Sequence, residues 1–426
     1  MATHLTSEAS TEKNGERARI AAEGVARQSY GKLVALLAKR TSNVAVAEDA
    51  LGDAFAAAIA DWPRNGVPEN PEGWLVRVAH RRFLDRTRRR AVVEAAAPHV
   101  RLIAEELEEA ATTEASIPDH RLALMFACAH PAIDQTIRAP LILQAVLGFD
   151  AAAIGSAFLV APSTMGQRLV RAKAKIAGAG IPFRVPERAE LGERLDSVLE
   201  AIYATFAEGW ADAIGTDARR RNLADEGVWL GRLIVSLMTD EPEAKGLLAL
   251  MLYAEARRFA RRNASGDYVP LSDQDTRLWN ESMIDEAEAL LRAASAGGHI
   301  GRYQLEAAIQ SAHLVRRLAG KADWPAIVTL YEALAEMTAS PVVAVNRAVA
   351  MAEVDGAERG LKELDHASAD RRLAEYQPYW AARADLLARS GDASAANAAY
   401  ERAIGLESDP AVRRFLLRKQ AATRAS

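Results

Sequence analysis

The chain has 426 residues, half of them hydrophobic, and a formal net charge of -4, a length that predicts two to four domains. One cysteine, Cys128, excludes an intramolecular disulfide and suits a reducing cytoplasm. No run of about 18 apolar residues and no apolar signal-peptide core occurs, so neither a membrane span nor a secretory leader is expected.

Alternating Val, Ile, Thr and aromatic residues are nearly absent, so the chain reads as all-α. Residues 1–28 are polar. From 29 to 62, Leu33, Leu36, Leu37, Ala50, Ala54, Phe55 and Ile59 recur at helical spacing. The run from Trp62 to Gly73 holds three prolines and reads as a loop. A helix restarts near Pro71, a residue suited to a first turn. It runs into seven arginines (Arg77, Arg81, Arg82, Arg86, Arg88, Arg89, Arg90) opposed by one acid, Asp85. An Ala- and Glu-rich linker, 96–118, separates this unit from a second helical unit, 119–182. The segment Gly180 to Pro186 reads as a hinge. Helices rich in Leu, Ala and Trp fill 183–300, broken by the polar run Asn263 to Asp275. In 301–426 the pieces around Tyr331 and Tyr400 resemble each other. Each tyrosine is followed by a proline, Pro341 and Pro410, and the separation is about twice a 34-residue repeat. Ala396, Tyr400 and Ala403 then sit where small and aromatic residues let two helices approach. An α-hairpin array with alanine at its contacts fits the same pattern.

Two segments concentrate positive charge. On a helix, Met165, Leu169, Ala172 and Ile176 form one inward stripe. Thr164, Gln167, Arg168, Arg171 and Lys175 fall beside it as a polar, positive face. A preceding helix with Ile154 and Phe158, and a turn from Leu159 to Pro162, complete a helix-turn-helix pattern. Arginine reads guanine edges with two hydrogen bonds, glutamine reads adenine, and lysine holds phosphate. A solvated basic face on a core helix gives the same spacing. In the first segment Arg77, Arg81 and Arg88 share a face, with His80 beside them and Trp74, Leu75, Val78 and Ala79 opposite. Their mutual repulsion calls for an external polyanion. The loop residues Asn65, Gly66, Glu69 and Asn70 offer polar groups to an unstacked base. Ahead of them Asp49 and Asp53 lie one turn apart, an arrangement that fits either a basic partner or a solvated acidic face.

The order AEDALGDAF, proline-rich loop, GWLVRVAHRRFLDRTRRR, linker and basic helix-turn-helix resembles a bacterial sigma factor of the extracytoplasmic-function group. DHRLALMFACAHPAI, FLVAPSTMGQRLVRAKAKI and GIPFRVP resemble the subgroup with a C-terminal tetratricopeptide-like extension, as do DEPEAKGLLALM and PYWAARADLLAR. The resemblance implies region 2 at 29–95 and region 4 at 119–182. It implies that Asp49, Asp53 and Phe55 dock on the β′ clamp helices of RNA polymerase core, with the β flap as a further partner. Asn65, Asn70, Trp74, Arg77, His80, Arg81 and Arg88 would open and read the −10 element. Thr164, Gln167, Arg168, Arg171 and Lys175 would read the −35 element. The chain departs from the group at His80, where asparagine is usual. It departs again at Asp150, where the first helix commonly starts with glutamate, and at Cys128-Ala129-His130, where a cysteine pair is usual.

The implied function is promoter recognition with no catalysis and no cofactor. The C-terminal half would regulate the DNA-binding module or bind a protein or peptide partner on a concave helical surface. Trp210, Trp229, Trp279 and Trp380 are candidate groove residues, although most tryptophans are core. The competing reading is a repeat-containing regulator that binds duplex DNA without core polymerase. A helical enzyme using Glu208, Asp225, Glu226 and Glu255 lacks any HExxH, Walker loop or GxSxG signature. Cys128 and His130 are too few for zinc and read as core or hinge residues.

Overall fold

A computed structural model describes residues 44–91, 120–178, 186–211 and 218–425, with scattered positions between 17 and 41. Most of the polar segment 1–28, the linker 96–118 and nearly all of the 180–186 hinge lie outside the described residues. Within the described residues the regular elements are helices, apart from an isolated antiparallel bridge between Arg262 and Tyr268. The fold is all-α.

Two compact units divide the chain, Met1–Ala201 and Ile202–Ser426. The first contains α1 (Val44–Asn65), α2 (Pro71–Ala91), α3 (His120–Cys128), α4 (Gln135–Ala145), α5 (Ala151–Ala157), α6 (Pro162–Gly178) and the start of α7 (Gly192–Ala211). Leu33, Leu37, Leu51, Ala54, Trp62, Leu75 and Ala79 are buried together with Leu122, Met125, Phe126, Ile142, Ile154, Met165 and Leu169. Each large apolar side chain removed from water contributes about 2 kcal/mol. Packing of this set outweighs any surface ion pair. The opening of α7 joins the same core: Arg194, only 2% exposed, donates to the Phe126 carbonyl at 3.2 Å.

Two sequence expectations change here. The loop expected from Trp62 to Gly73 is far shorter, because α1 continues to Asn65 and α2 begins at Pro71. Trp62 is 1% exposed, and its burial carries the helix past Pro63. Proline at 63 withdraws the partner of the Ile59 carbonyl, but Ile59 is 63% exposed and water reaches that face. Gly66, at φ +85°, then ends the helix by donating to the Trp62 carbonyl at 2.9 Å. The exposure of Ile59 and Leu36 also removes both from the expected inward set.

In the second unit, α8 (Ala218–Leu237), α10 (Glu281–Ser295) and α11 (Arg302–Leu314) pack around α9 (Pro242–Ala256). From Gly246 to Tyr253 α9 is buried without interruption, as expected for a helix apolar all round. A short α12 (Arg316–Ala319) leads into α13 (Trp324–Met337), α14 (Pro341–Asp355), α15 (Ala357–Ala367), α16 (Gln377–Arg389), α17 (Ala393–Leu406) and α18 (Pro410–Ala425). From α13 onward, neighbours in sequence pack on each other along this series. Ala396, Tyr400 and Ala403 are all buried, as small and aromatic residues at a close helix contact require. Asp323 and Asp392 cap α13 and α17 in the same way, each accepting from the amide three residues on. Of the four tryptophans considered as groove residues, Trp279 is core and Trp229 is 40% exposed. Trp210 and Trp380 donate to the Ala254 and Ala374 carbonyls.

Candidate nucleic-acid interface

The α1–α2 hairpin positions the first set of expected residues. Asp49 is exposed on α1, with Asp53 and Phe55 half-buried one and two turns along. At the hairpin tip Trp62 meets Trp74 edge-to-face, ring centroids 5.5 Å apart at 67°. That geometry suits the opposed charges of ring face and edge. Asn70 caps α2: its side-chain oxygen accepts from the Gly73 amide at 2.9 Å. Asn65 donates from its side-chain nitrogen to Asp61 at 2.7 Å. Both asparagines are exposed, so each holds the short Gly66–Asn70 connection and still faces solvent. Behind them the Ser29 hydroxyl donates to Glu72 in the first turn of α2. Leu75 and Ala79 are fully buried and Val76 nearly so, which turns Arg77, Arg81 and Arg82 outward. His80 is half-buried beside Phe83, with Nδ1 shielded from solvent and accepting no hydrogen bond. The Arg88 side chain lies outside the described residues, although its backbone continues α2.

The second set sits on α6. Asp150 caps α5 by accepting from the Ala152 and Ala153 amides at 3.0 and 2.8 Å. The acid that stands where glutamate is usual therefore has a local backbone role. After seven residues α5 stops, and Leu159 takes a left-handed φ of 52°. The Val160 amide closes the turn on the Gly155 carbonyl at 2.8 Å. Gly155 is required there, since a Cβ would stand 2.5 Å from the Val160 carbonyl oxygen. This turn sets α6 against α5, with Ile154, Met165, Leu169 and Ala172 buried between elements. Thr164, Gln167, Arg168, Arg171 and Lys175 are all exposed. The Ile176 side chain lies outside the described residues.

The two sets belong to one compact unit, and α1 packs on both α4 and α6. Lys173 on α6 forms an ion pair with Glu48 on α1 at 2.7 Å. Burial raises the Glu48 carboxyl above its ordinary range, and Lys173 opposes that shift. Tyr30 lies against Gly148 at the end of α4, close enough that a Cβ there would meet its ring at 3.3 Å. Cys128 is buried at the end of α3, and burial pushes its thiol up, so it behaves as a small hydrophobe. His130 accepts from the Ala132 amide at 3.1 Å and shapes the turn that follows.

Charge pairing differs between these surfaces and much of the second unit. Among the described residues Arg77, Arg81, Arg82, Arg168 and Arg171 form no ion pair. In the second unit many arginines are matched to acids, among them Arg232 to Glu286, Arg317 to Glu281, Arg347 to Glu363, Arg383 to Asp365, Arg389 to Glu353 and Arg402 to Glu375, all at 2.6–2.9 Å. The net charge of -4 thus conceals a division of labour. One set of cations is neutralised internally, and another is presented to solvent on two helices.

Glu48 and Lys173 escaped sequence reading. Lys173 lies just off the buried stripe and Glu48 beside the Asp49–Asp53 face, so helical spacing marks both positions as flanks. Only the tertiary contact identifies them as partners. Of the carboxylates considered for catalysis, Glu255 is held by Arg258 through two hydrogen bonds at 2.5 and 2.7 Å. No group of three metal-ligating side chains occurs among the described residues.

Comparison with known proteins bears on the α1–α2 hairpin. Residues 25–92 match the family model for sigma-70 region 2, which covers the α1–α2 hairpin. Residues 194–295 match a family of unknown function (DUF6596), covering α7 to α10. An uncharacterized protein of Rhizobium meliloti (strain 1021) is 38% identical over 369 residues, spanning 85% of this chain and 86% of the relative. No solved structure matches the chain. Among the described residues no helix is long and apolar enough to cross a membrane. The chain belongs to one family with the Rhizobium protein, and it carries a sigma-70 region 2 at residues 25–92.

Proposed function

We propose that the chain directs bacterial RNA polymerase core to promoters as an extracytoplasmic-function-type sigma factor acting in the cytoplasm. Region 2 spans 29–95 and region 4 spans 119–182. The observation that carries the reading is the pair of exposed cationic helix faces, Arg77-Arg81-Arg82 and Arg168-Arg171, without acid partners among the described residues. Exposed arginines that repel one another are stabilised by a polyanion, and phosphate contacts supply affinity that falls with salt. Asp49, Asp53 and Phe55 dock on the β′ clamp helices. The tip residues Asn65, Asn70 and Trp74, with Arg77, His80, Arg81 and Arg88, engage the −10 element. Trp62 backs Trp74, which gives a flipped base a rigid aromatic neighbour. Thr164, Gln167, Arg168, Arg171 and Lys175 engage the −35 element from α6. Catalysis plays no part in this role.

The helical series of the second unit supports a tetratricopeptide-like array that regulates the sigma module or receives a protein or peptide partner. A chain ending at Ala211 tests that role, and unchanged transcription from a target promoter under all conditions excludes it. The competing reading, duplex binding without polymerase, leaves the region 2 match unexplained. Binding measured with and without core separates the two. A sigma factor gains promoter specificity only with core, whereas a free-standing regulator binds its site equally well alone.

A further inference from the structure

The exposed arc of α6 holds one large apolar residue among polar and charged ones. Ser163, Thr164, Gln167, Arg168, Arg171 and Lys175 are exposed, as is Val170 at 68%. Val170 is the most exposed large hydrophobic of the first unit's described residues. It stands one turn before the small Ala174 and beside Gln167 on the same arc. A β-branched residue gains little for a helix in water, since its χ1 is restricted by the preceding turn. That stiffness becomes an advantage on binding, because little rotamer freedom remains to be lost.

The surroundings of Val170 favour nucleic acid over an apolar protein surface. Its neighbours one turn away are Gly166, Gln167, Lys173 and Ala174, and Arg171 and Arg168 lie farther round the exposed arc without ion pairs among the described residues, so the arc as a whole is cationic. A duplex groove matches that charge, and it offers one apolar group at base level: the C5-methyl of thymine. We infer that Val170 reads a thymine methyl in the −35 element, adding an apolar contact to the hydrogen-bonding set. This inference rests on the assignment of α6 to the −35 element. It identifies Val170 as a specificity-determining residue and makes a thymine part of the recognised sequence.

The test uses the full chain bound to core polymerase and a promoter found by mapping transcription starts. Each −35 thymine is replaced in turn by deoxyuridine, which pairs identically and lacks the methyl. The wild type should lose about fourfold in affinity at one position, the factor for about 0.8 kcal/mol per buried methyl-sized group. Val170→Ala should lose a similar factor on the natural promoter and become indifferent to deoxyuridine at that position alone. The inference is overturned if the wild type tolerates every replacement, if Val170→Ala keeps the same methyl sensitivity, or if the element has no thymine. Arg168→Ala, measured in parallel, separates the two layers. If it alters −35 discrimination while Val170 shows no methyl coupling, only the present inference fails. If neither substitution alters discrimination, the −35 assignment of α6 fails with it.

Discussion

Lys173 on α6 reaches across to Glu48 on α1 at 2.7 Å, linking the helix assigned to the −35 element with the helix assigned to polymerase docking. The two partners are unequal, since Glu48 is 8% exposed and Lys173 28%. Removing the lysine strands a buried carboxylate, whereas removing the acid leaves an ammonium that water can still reach. Lys173→Met is therefore predicted to cost about 3 kcal/mol at neutral pH, and Glu48→Gln clearly less. Urea denaturation of both variants measures the difference. Equal losses would show that the pair is not buried as described.

The same pair predicts a pH dependence. Burial raises the folded-state Glu48 carboxyl above its unfolded value. The folded protein then binds the proton more readily than the unfolded chain. This group's stabilising contribution is fully present below the unfolded pKa and is lost as pH rises through the folded one. The deficit of Lys173→Met should shrink as pH falls and Glu48 takes up a proton. A deficit that grows on acidification would contradict the assigned direction.

Gly155 fixes the turn before α6. Gly155→Ala places a methyl 2.5 Å from a backbone oxygen, which cannot swing away as a side chain can. A loss of about 1–3 kcal/mol is expected from such overpacking, together with loss of −35 discrimination. Thermal unfolding and promoter binding are the readouts. A fully stable, fully specific variant would mean that the turn is looser than described.

Base contacts and phosphate contacts should separate by mutation. Arg168→Ala is predicted to relax one −35 position by about 1–3 kcal/mol if its contact is bidentate. Arg81→Ala should weaken binding to all promoters alike and lower the salt slope by about one. Titrations at several salt concentrations distinguish these outcomes. Uniform, sequence-independent losses from both substitutions would count against groove entry by α6.

Asp53→Arg reverses a half-buried charge on the helix assigned to polymerase docking. It should abolish association with core polymerase and leave the circular dichroism spectrum of a helical protein unchanged. Undiminished association would remove this part of α1 from the docking surface.

What the sequence discloses follows from what is local. The stripe Met165, Leu169, Ala172 is readable because helical spacing decides which side packs inward, and its burial agrees. The same rule misjudged Ile59, which has helical apolar spacing yet is exposed; separately, the prolines and glycines from Trp62 to Gly73 suggested a loop, and the pull of buried Trp62 on the chain has no local sign. Ion pairing is less legible still. Nothing near Arg232 or Arg389 in sequence reveals that Glu286 and Glu353 will neutralise them. The contrast between paired and presented arginines, which now carries the functional reading, emerges only once distant helices are brought together.

The most direct measurement mixes the purified chain with bacterial core polymerase on a promoter identified by start-site mapping. The account predicts that the chain co-elutes with core and that transcripts begin at one defined position, with both effects weakening as salt rises. A chain that neither co-elutes nor directs initiation from that position would contradict it.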